Sequence, residues 1–357
     1  MNTWGNHIKI TVFGESHGEF LGITIDGLKP GLEINYDYIK DEINRRTTKN
    51  KIISTQRLET DEYKIISGVF NNKTTGAPLT VLFPNKNIKS KDYEKIKDLV
   101  RPSHADFPSK IKFNGYNDFR GGGTFSGRLT LPIVFVGALA KQILLEKNIK
   151  IYSHIKQISH FSSCSLLNRE IDENLLQEIK NYDLPFLDKN LSVKAKKYVE
   201  QISLNGDSIG GIVECICLNL PIGLGEPFFE SFESKLSSII FSIPSIKGIE
   251  FGLGFNYTNG TGKELNDQYI LDENKTIRTS TNNNGGILGG LTTGMPVIFS
   301  VIVKPTPSIS LPQKSINMKT MTEEIIKIEG RHDACIVPRI LPVIEAVTAI
   351  TILDLIQ

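Results

Sequence analysis

Residues 119–128 constrain this chain more than any other stretch, because they read Phe-Arg-Gly-Gly-Gly-Thr-Phe-Ser-Gly-Arg. Three consecutive glycines add no side chain to a core, but they permit positive φ angles and close approach of the backbone to another group. Thr124 or Ser126 can cap the helix predicted at 129–147, with Pro132 near its first turn. Such a loop and helix N-terminus favour an anion. The spacing matches neither nucleotide fingerprint, and a flexible connector is the alternative.

The charge and cysteine content exclude several classes of protein. A net charge of +2 over 357 residues gives no polyelectrolyte character, so we expect neither nucleic-acid nor membrane-surface binding. Four irregularly spaced cysteines predict neither a disulfide framework nor a zinc site, and no other metal site is expected. Cys215 and Cys217 alternate along a predicted strand, which places both on one face in the core.

The N-terminal residues lack the basic and apolar pattern of a signal peptide. The longest charge-free apolar run, residues 129–140, is too short to span a bilayer. These features predict a cytoplasmic protein.

Most arginines occur in short polar segments, and arginine binds carboxylates and phosphates in a bidentate manner. Eight of the ten fall in stretches that stand out on other grounds: Arg45, Arg46, Arg57, Arg101, Arg120, Arg128, Arg331 and Arg339. This clustering indicates a small polyanionic ligand, with ordinary surface ion pairs as the alternative.

Three short loops carry histidine. Residues 14–18, Gly-Glu-Ser-His-Gly, follow a predicted strand at 8–13, so His17 is expected to be exposed and positioned for acid–base chemistry. His104 lies in Arg-Pro-Ser-His-Ala-Asp at 101–106, and residues 330–333 read Gly-Arg-His-Asp. Each histidine alone could be structural. Together, at the ends of predicted elements, they favour an enzyme.

The sequence also contains a repeat. Thr-Thr-Gly-x-Pro occurs at 74–78 and at 292–296, each time before an apolar strand. This predicts an internal duplication of a supersecondary unit, although five residues can recur by chance. Helices are predicted at 36–46, 93–99, 232–241 and 341–355, and residues 161–205 are predicted to be a helical elaboration on the core.

From Trp4 to the last helix the sequence resembles the chorismate synthase family. The resemblance rests on ordered motifs along the chain: 14–18, 67–70, 73–76, 90–93, 101–106, 120–123, 206–211, 223–227, 285–290, 304–306 and 330–333. The family converts 5-enolpyruvylshikimate 3-phosphate into chorismate and phosphate by trans 1,4-elimination, and it needs reduced FMN without net redox change. The resemblance therefore implies a carbon–oxygen lyase of aromatic amino acid biosynthesis.

The resemblance also implies a fold and an assembly. We expect an α+β protein, with residues 1–357 forming one domain. In this β-α-β sandwich, helices would pack between two antiparallel sheets, with internal pseudo-duplication. A homotetramer is expected.

Residue roles follow from the same resemblance. His104 would protonate the leaving phosphate, His17 would keep the reduced flavin protonated, and Asp333 would assist proton removal near the flavin. The substrate or flavin anions would be held by Arg46, Arg101, Arg128 and Arg331. The flavin contacts would be Thr124, Phe125, Ser126, Pro244, Ser245, Gly289, Lys304, Pro305, Thr306, Pro307, Ser308 and Arg331. Arg46 would also correspond to a nicotinamide-linked (NADP) position.

The sequence departs from the family at several positions. Thr47, Ile52 and Thr124 stand where the family usually has arginine, and Ser103 stands where it usually has glycine. Fewer guanidinium groups predict weakened anion binding, which Lys49 or Lys51 could partly offset. Two alternatives remain: an FMN oxidoreductase with net electron transfer, and a non-catalytic scaffold. The absence of a dinucleotide motif argues against the first, and the retained His17, His104 and Asp333 argue against the second.

Overall fold

The computed structural model describes residues 2–47, 61–86, 91–94, 96–328 and 333–356. Outside these residues lie five positions named above: Lys49, Lys51, Ile52, Arg57 and Arg331.

The chain divides into two compact units, each formed by three segments. Unit 1 comprises Met1–Val136, Lys197–Ile209 and Pro305–Ile336, and unit 2 comprises Gly137–Lys196, Gly210–Lys304 and Val337–Gln357.

The helices of the described residues are numbered along the chain. They are α1 (Tyr36–Arg46), α2 (Lys91–Glu94), α3 (Asp106–Lys112), α4 (Thr130–Glu146), α5 (Glu173–Ile179), α6 (Lys189–Leu204), α7 (Phe232–Ile240), α8 (Gly262–Leu265) and α9 (Val337–Ile356). Short 3₁₀ helices occupy Arg120–Phe125, Gly127–Leu129, Phe228–Glu230 and Gly254–Asn259.

The strands of unit 1 are β1 (Thr3–Trp4), β2 (Lys9–Gly14), β3 (Phe20–Asp26), β4 (Lys64–Ser67), β5 (Val69–Phe70), β6 (Lys73–Thr74), β7 (Leu79–Pro84), β17 (Gln313–Asn317) and β18 (Thr322–Ile326). Those of unit 2 are β8 (Lys150–Ile158), β9 (Phe161–Ser162), β10 (Gly211–Leu218), β11 (Ile246–Phe251), β12 (Tyr269–Leu271), β13 (Ile277–Thr279), β14 (Ile287–Leu288), β15 (Leu291–Thr292) and β16 (Val297–Val303).

Unit 1 is built on an antiparallel sheet with strand order β1-β2-β3-β7-β4. Its register places Ile23 of β3 opposite Val81 of β7, and both side chains are fully buried. Alternate residues of β7 point to the core, as the period of a strand requires. Helix α1 matches its prediction residue for residue: Asn35 caps it, and Ile39 and Ile43 are buried.

Unit 2 is built on a second antiparallel sheet, with order β9-β8-β10-β16-β11. Helix α9 packs on β8 and β10, with Thr348 in contact with Cys215 on one face of the sheet. Ile216 and Leu218 on β10 instead pack with Leu176 and Ile179 of α5. The predicted elaboration at 161–205 thus supplies a second cover for this sheet. Because both faces are covered, β10 is buried along almost its whole length.

The two units repeat one topology. The order β2-β3-α1-β4-β5-β6-β7-α4 in the first half corresponds to β8-β10-α7-β11-β14-β15-β16-α9 in the second, and the matching strands have the same order in their sheets. Each half has a two-residue hairpin turn with positive φ at both positions, 47° and 61° in the first half and 60° and 88° in the second. This is type I′ geometry. The predicted α+β class, antiparallel sheets and internal duplication are confirmed.

The predicted helix at 93–99 is wrong. Helix α2 ends at Glu94, and the amide of Leu99 donates to the carbonyl of Ile96 three residues earlier. The amide of Val100 donates to Ile316 O of β17, and Leu99 forms a bridge with Asn317. Pairing with a distant strand therefore replaces the local helix.

One helical stretch among the described residues, Gly127–Glu146, is long and apolar enough by length and composition to cross a membrane. The sequence expectation considered only the charge-free residues 129–140, which are fewer than a membrane span needs. In the structure, 72% of the apolar window of Gly127–Glu146 is buried inside the protein, as in a core helix.

Candidate active site

The glycine loop, residues 119–128, lies beside the histidine loop, residues 14–18. Its three glycines have φ angles of 60°, 86° and 53°, so the predicted left-handed backbone is confirmed. The loop meets its neighbour through carbonyl oxygens. Ser16 Oγ donates to Arg120 O at 3.2 Å and to Gly121 O at 3.0 Å, and the Ser16 amide donates to Gly123 O at 3.2 Å. The loop therefore fixes the backbone next to His17.

His17 itself is buried, with 7% of its surface exposed. A Cβ placed on Gly121 would lie 2.4 Å from Cδ2 and 2.6 Å from Nε2 of the imidazole, so glycine is required for this packing. The Tyr93 ring packs against another side in a T-shaped contact, with ring centroids 5.1 Å apart. The prediction that His17 is exposed is wrong, because the glycine loop and Tyr93 cover its ring.

The loop at 101–106 holds a partly buried ion pair and a histidine. The Arg101 guanidinium donates two hydrogen bonds of 2.8 Å to Asp106, through Nε and Nη2. Burial raises the pKa of Asp106, but the hydrogen bonds and charge of Arg101 outweigh it and hold that pKa below its ordinary value. The Arg101 guanidinium also lies over the Tyr93 ring, 5.8 Å from its centroid. Tyr93 thus touches both Arg101 and His17.

His104 is oriented through both ring nitrogens. Nδ1 lies 3.0 Å from Pro102 O, which can only accept a hydrogen bond, so Nδ1 carries a proton. Nε2 lies 2.9 Å from Ser308 Oγ. Since a hydroxyl can donate or accept, Nε2 is the atom of His104 that can gain or release a proton.

The other two described arginines of the predicted anion site share one carboxylate. Arg46 donates from Nε to Thr130 Oγ1 at 2.9 Å and from Nη2 to Gly127 O at 3.2 Å. Asp61 Oδ1 accepts from Arg128 Nη1 at 2.8 Å, and Oδ2 lies 3.7 Å from Arg46 Nη1. The side chain of Asp61 is only 3% exposed. Its role was missed, although a buried and a half-buried guanidinium require a nearby countercharge.

The helix cap of the glycine loop is Ser126 rather than Thr124. Ser126 Oγ accepts from the Arg128 amide at 3.3 Å, at the start of the 3₁₀ turn that leads into α4. Thr124 is exposed, and Phe125 is 44% exposed. Residues 124–126 are the first part of the predicted flavin-binding set.

Residues 305–308, the next part of that set, also belong to unit 1. Thr306 O accepts from Ser208 Oγ at 2.6 Å, whereas Thr306 Oγ1 is buried without a hydrogen-bond partner among the described atoms. Pro305 and Pro307 flank Thr306, and Ser308 contacts His104.

Asp333, the third proposed catalytic residue, is half-buried. The carbonyl of the next residue, Ala334, accepts from the Ile209 amide at 2.8 Å.

The remaining described residues of the flavin set belong to unit 2. Ser245, after Pro244, has a φ of 76°, and its carbonyl accepts from the Lys304 amide at 2.9 Å. Gly289 lies in the β14–β15 turn, and a Cβ there would meet no atom within 4 Å. Burial, followed by the charge of Lys247, lowers the pKa of Lys304. Two neighbouring ammonium groups suit an anion.

Among the described residues, no group of three or more His, Cys, Asp or Glu side chains could hold a metal ion. The described chemistry therefore consists of arginines with their carboxylates, two histidines and glycine-rich turns. It suits proton transfer beside a small polyanion.

Comparisons with known proteins agree with this chemistry. The sequence model of chorismate synthase matches residues 8–357. Chorismate synthase of Pyrococcus abyssi is 46% identical over 351 residues, which are 98% of this chain and 96% of that protein. The enzyme of Dehalococcoides mccartyi is 44% identical over 354 residues, 99% and 96% of the two chains. That of Methanocaldococcus jannaschii is 43% identical over 364 residues, again 99% and 96%.

The fold comparison leads to the same class. A crystal structure of chorismate synthase has a TM-score of 0.77 and 27% identity, covering 99% of this chain and 92% of the other. Fold and relatives together define a lyase of aromatic amino acid biosynthesis. The chain belongs to the chorismate synthase family. Its reaction is the elimination of phosphate from 5-enolpyruvylshikimate 3-phosphate to give chorismate.

Proposed function

We propose that His104, His17 and Asp333 carry out this elimination, with reduced FMN as the cofactor. The carbon–oxygen bond to phosphate and a carbon–hydrogen bond break, and a new double bond forms. His104 Nε2 donates a proton to the leaving phosphate, Asp333 assists proton removal, and His17 holds the proton that keeps the flavin in its active form. The orientation of His104 by Pro102 O and Ser308 Oγ is the observation that best supports the proposal.

The flavin-set residues fit such a cofactor. Thr306 Oγ1 is a buried hydroxyl with an unmet hydrogen bond, and the space beside Gly289 would be filled by a side chain at any other residue type. The resemblance assigns residues 124–126, 244–245, 289, 304–308 and 331 to this cofactor. When bound, reduced FMN supplies electron density to the allylic system as the phosphate leaves.

The arginines are proposed to hold the anions. Arg101 and Arg128 each donate to a carboxylate, which holds the guanidinium in a fixed orientation. An oriented guanidinium suits a carboxylate or phosphate ligand. Arg46 is more buried, at 5%, and its nicotinamide-linked role stays a prediction. Arg331 is proposed from the resemblance alone.

Two departures from the family have visible structural roles. Ser103 has a φ of 58°, which accounts for glycine at this position in the family, and Thr47 Oγ1 donates to Asn44 O at the end of α1. We expect a working enzyme with a raised substrate KM, because arginines are missing at 47, 52 and 124. A KM equal to that of an enzyme retaining all three arginines would contradict this expectation.

The proposal is tested by anaerobic assay with chemically reduced FMN and the substrate, following chorismate absorbance and phosphate release. We expect product only with reduced flavin, and a loss of kcat of roughly a hundredfold to ten-thousandfold in His104→Ala. His160→Ala, which changes an exposed histidine of unit 2, is the matched control. Wild-type kcat in His104→Ala would refute the assignment, and equal turnover with oxidised flavin would refute the cofactor role.

We further propose a cytoplasmic homotetramer in which each chain is one domain. Large apolar side chains of unit 2 are exposed in the single chain, including Phe228 at 86% and Phe229 at 91%, as expected of a surface covered by assembly. The unit boundaries at Gly137 and Lys197 fall inside α4 and α6, which favours one cooperative domain. Light scattering should give four times 39.8 kDa, and calorimetry one transition.

A further inference from the structure

Asn85 lies between two parts of the proposed site that the sequence keeps far apart. It directly follows β7, and its amide donates to Glu19 O at 3.0 Å. The side chain is half-buried and reaches both Arg128 and the histidine loop. Asn85 lies outside the sequence motifs and has no role in the proposed mechanism.

The two ends of the Asn85 amide make different contacts. Oδ1 accepts from Arg128 Nε at 3.3 Å. Nδ2 donates to Gly18 O at 2.8 Å and to Glu15 O at 3.3 Å. The carbonyl acceptors lie on either side of Ser16 and His17, so the amide fixes both ends of the turn that carries the histidine.

Few side chains could replace this amide. One end must accept from a guanidinium, and the other must donate to two carbonyl oxygens. A carboxylate of the same shape would accept well from Arg128, but it would place an oxygen against Gly18 O and Glu15 O. An apolar side chain would leave the guanidinium Nε and both carbonyls without this partner.

Arg128 also donates a hydrogen bond of 2.8 Å to Asp61. His17 packs against Gly121 of the glycine loop. Asn85 thus contacts both Arg128, which is proposed to bind anions, and the loop that carries His17, which is proposed to manage a proton. We propose that Asn85 is a positioning residue, which couples the position of the Arg128 guanidinium to that of His17. This inference rests on the roles proposed above for Arg128 and His17.

The test separates the two ends of the amide. In Asn85→Asp the contact to Arg128 survives and the contacts to the histidine loop are lost, so we expect kcat to fall roughly tenfold to a hundredfold while the substrate KM changes less than about twofold. In Asn85→Ala both contacts are lost, so kcat should fall and KM should rise as well. Both variants keep the backbone hydrogen bond to Glu19 O, and their thermal unfolding is measured alongside.

Lys86→Ala is the matched control, because Lys86 is the next residue and forms an ion pair with the exposed Glu62, away from Arg128 and the histidine loop. It should keep wild-type kcat and KM. Wild-type kcat in Asn85→Asp, or the same change of KM in both Asn85 variants, would overturn the inference. His17→Ala and Arg128→Ala, assayed in parallel, separate the two hypotheses. If they keep wild-type kinetics, the proposed function fails; if they lose activity while Asn85→Asp does not, only the coupling fails.

Discussion

At the scale of single residues, Gly121 decides where His17 lies. Its left-handed backbone and its missing Cβ both matter, but they are separable effects. The neighbouring Gly122 has a larger φ, 86°, yet a Cβ there would reach only Ser126 Cβ at 4.0 Å. The pair therefore distinguishes backbone strain from steric displacement of the imidazole.

We predict that Gly121→Ala lowers kcat by roughly a hundredfold, the cost of misplacing a reacting group by about 1 Å. Gly122→Ala introduces backbone strain of about 1–2 kcal/mol without displacing His17, so it should lower stability and leave kcat close to wild type. Steady-state kinetics and urea unfolding of both variants check this. An equal loss of kcat in the two variants would mean that strain, and not contact with His17, is responsible.

At the scale of elements, the repeated Thr-Thr-Gly-x-Pro segment repeats its hydrogen bonds as well as its sequence. Thr74 Oγ1 donates to Lys29 O at 2.6 Å and accepts from the Leu32 amide at 3.0 Å. Thr292 Oγ1 donates to Pro221 O at 2.5 Å and accepts from the Leu224 amide at 2.9 Å. In each half, one hydroxyl joins the hairpin to the turn before the first helix.

We predict that Thr74→Val and Thr292→Val each lower the free energy of unfolding by about 1–3 kcal/mol, because each leaves a buried donor and acceptor unpaired. Thr→Ser at the same positions keeps the hydroxyl and should cost less. Denaturant unfolding of the four variants measures the difference. If valine and serine behave alike at either position, the hydroxyl does not hold that hairpin.

At the scale of the whole molecule, a buried charge network in unit 2 links stability to pH. Glu214 is 1% exposed; its Oε1 accepts from His154 Nε2 at 3.0 Å, and its Oε2 accepts from Ser165 Oγ at 2.5 Å. Burial raises the pKa of Glu214, but the hydrogen bond and charge of His154, together with hydrogen bonds from Ser165 and the Leu166 amide, outweigh it and hold the pKa below its ordinary value.

A carboxyl group whose pKa is lower in the folded than in the unfolded protein stabilises the fold at pH values above its unfolded pKa. This contribution disappears as the pH falls through its folded pKa. We predict that Glu214→Gln lowers the free energy of unfolding at neutral pH by about 1.5–3 kcal/mol. The difference from wild type should shrink as the pH falls below 4.5. Unfolding is followed at several pH values, with the exposed Glu170→Gln as control. A difference that does not change with pH would contradict the charge role.

Features encoded in short segments could be predicted. Helix α1 follows from its cap and its apolar spacing, the glycine φ angles follow from the glycines themselves, and the repeat was visible as five residues. Features that need a distant partner could not. The helix predicted at 93–99 was replaced by pairing with β17. The β12–β13 and β17–β18 hairpins are local and were missed for another reason, which is that the strand preference of a short segment depends on its packing context.

The sequence by itself determined the family, the reaction and the segments that carry the candidate site, because each motif is local and keeps its chemistry wherever the fold places it. Tertiary structure alone decided that His17 is buried and that Asp61 and Asn85 meet Arg128. Those partners are 67 and 43 positions from Arg128 along the chain. Contacts over such separations exist only after the sheet and the glycine loop have folded, so no local pattern records them.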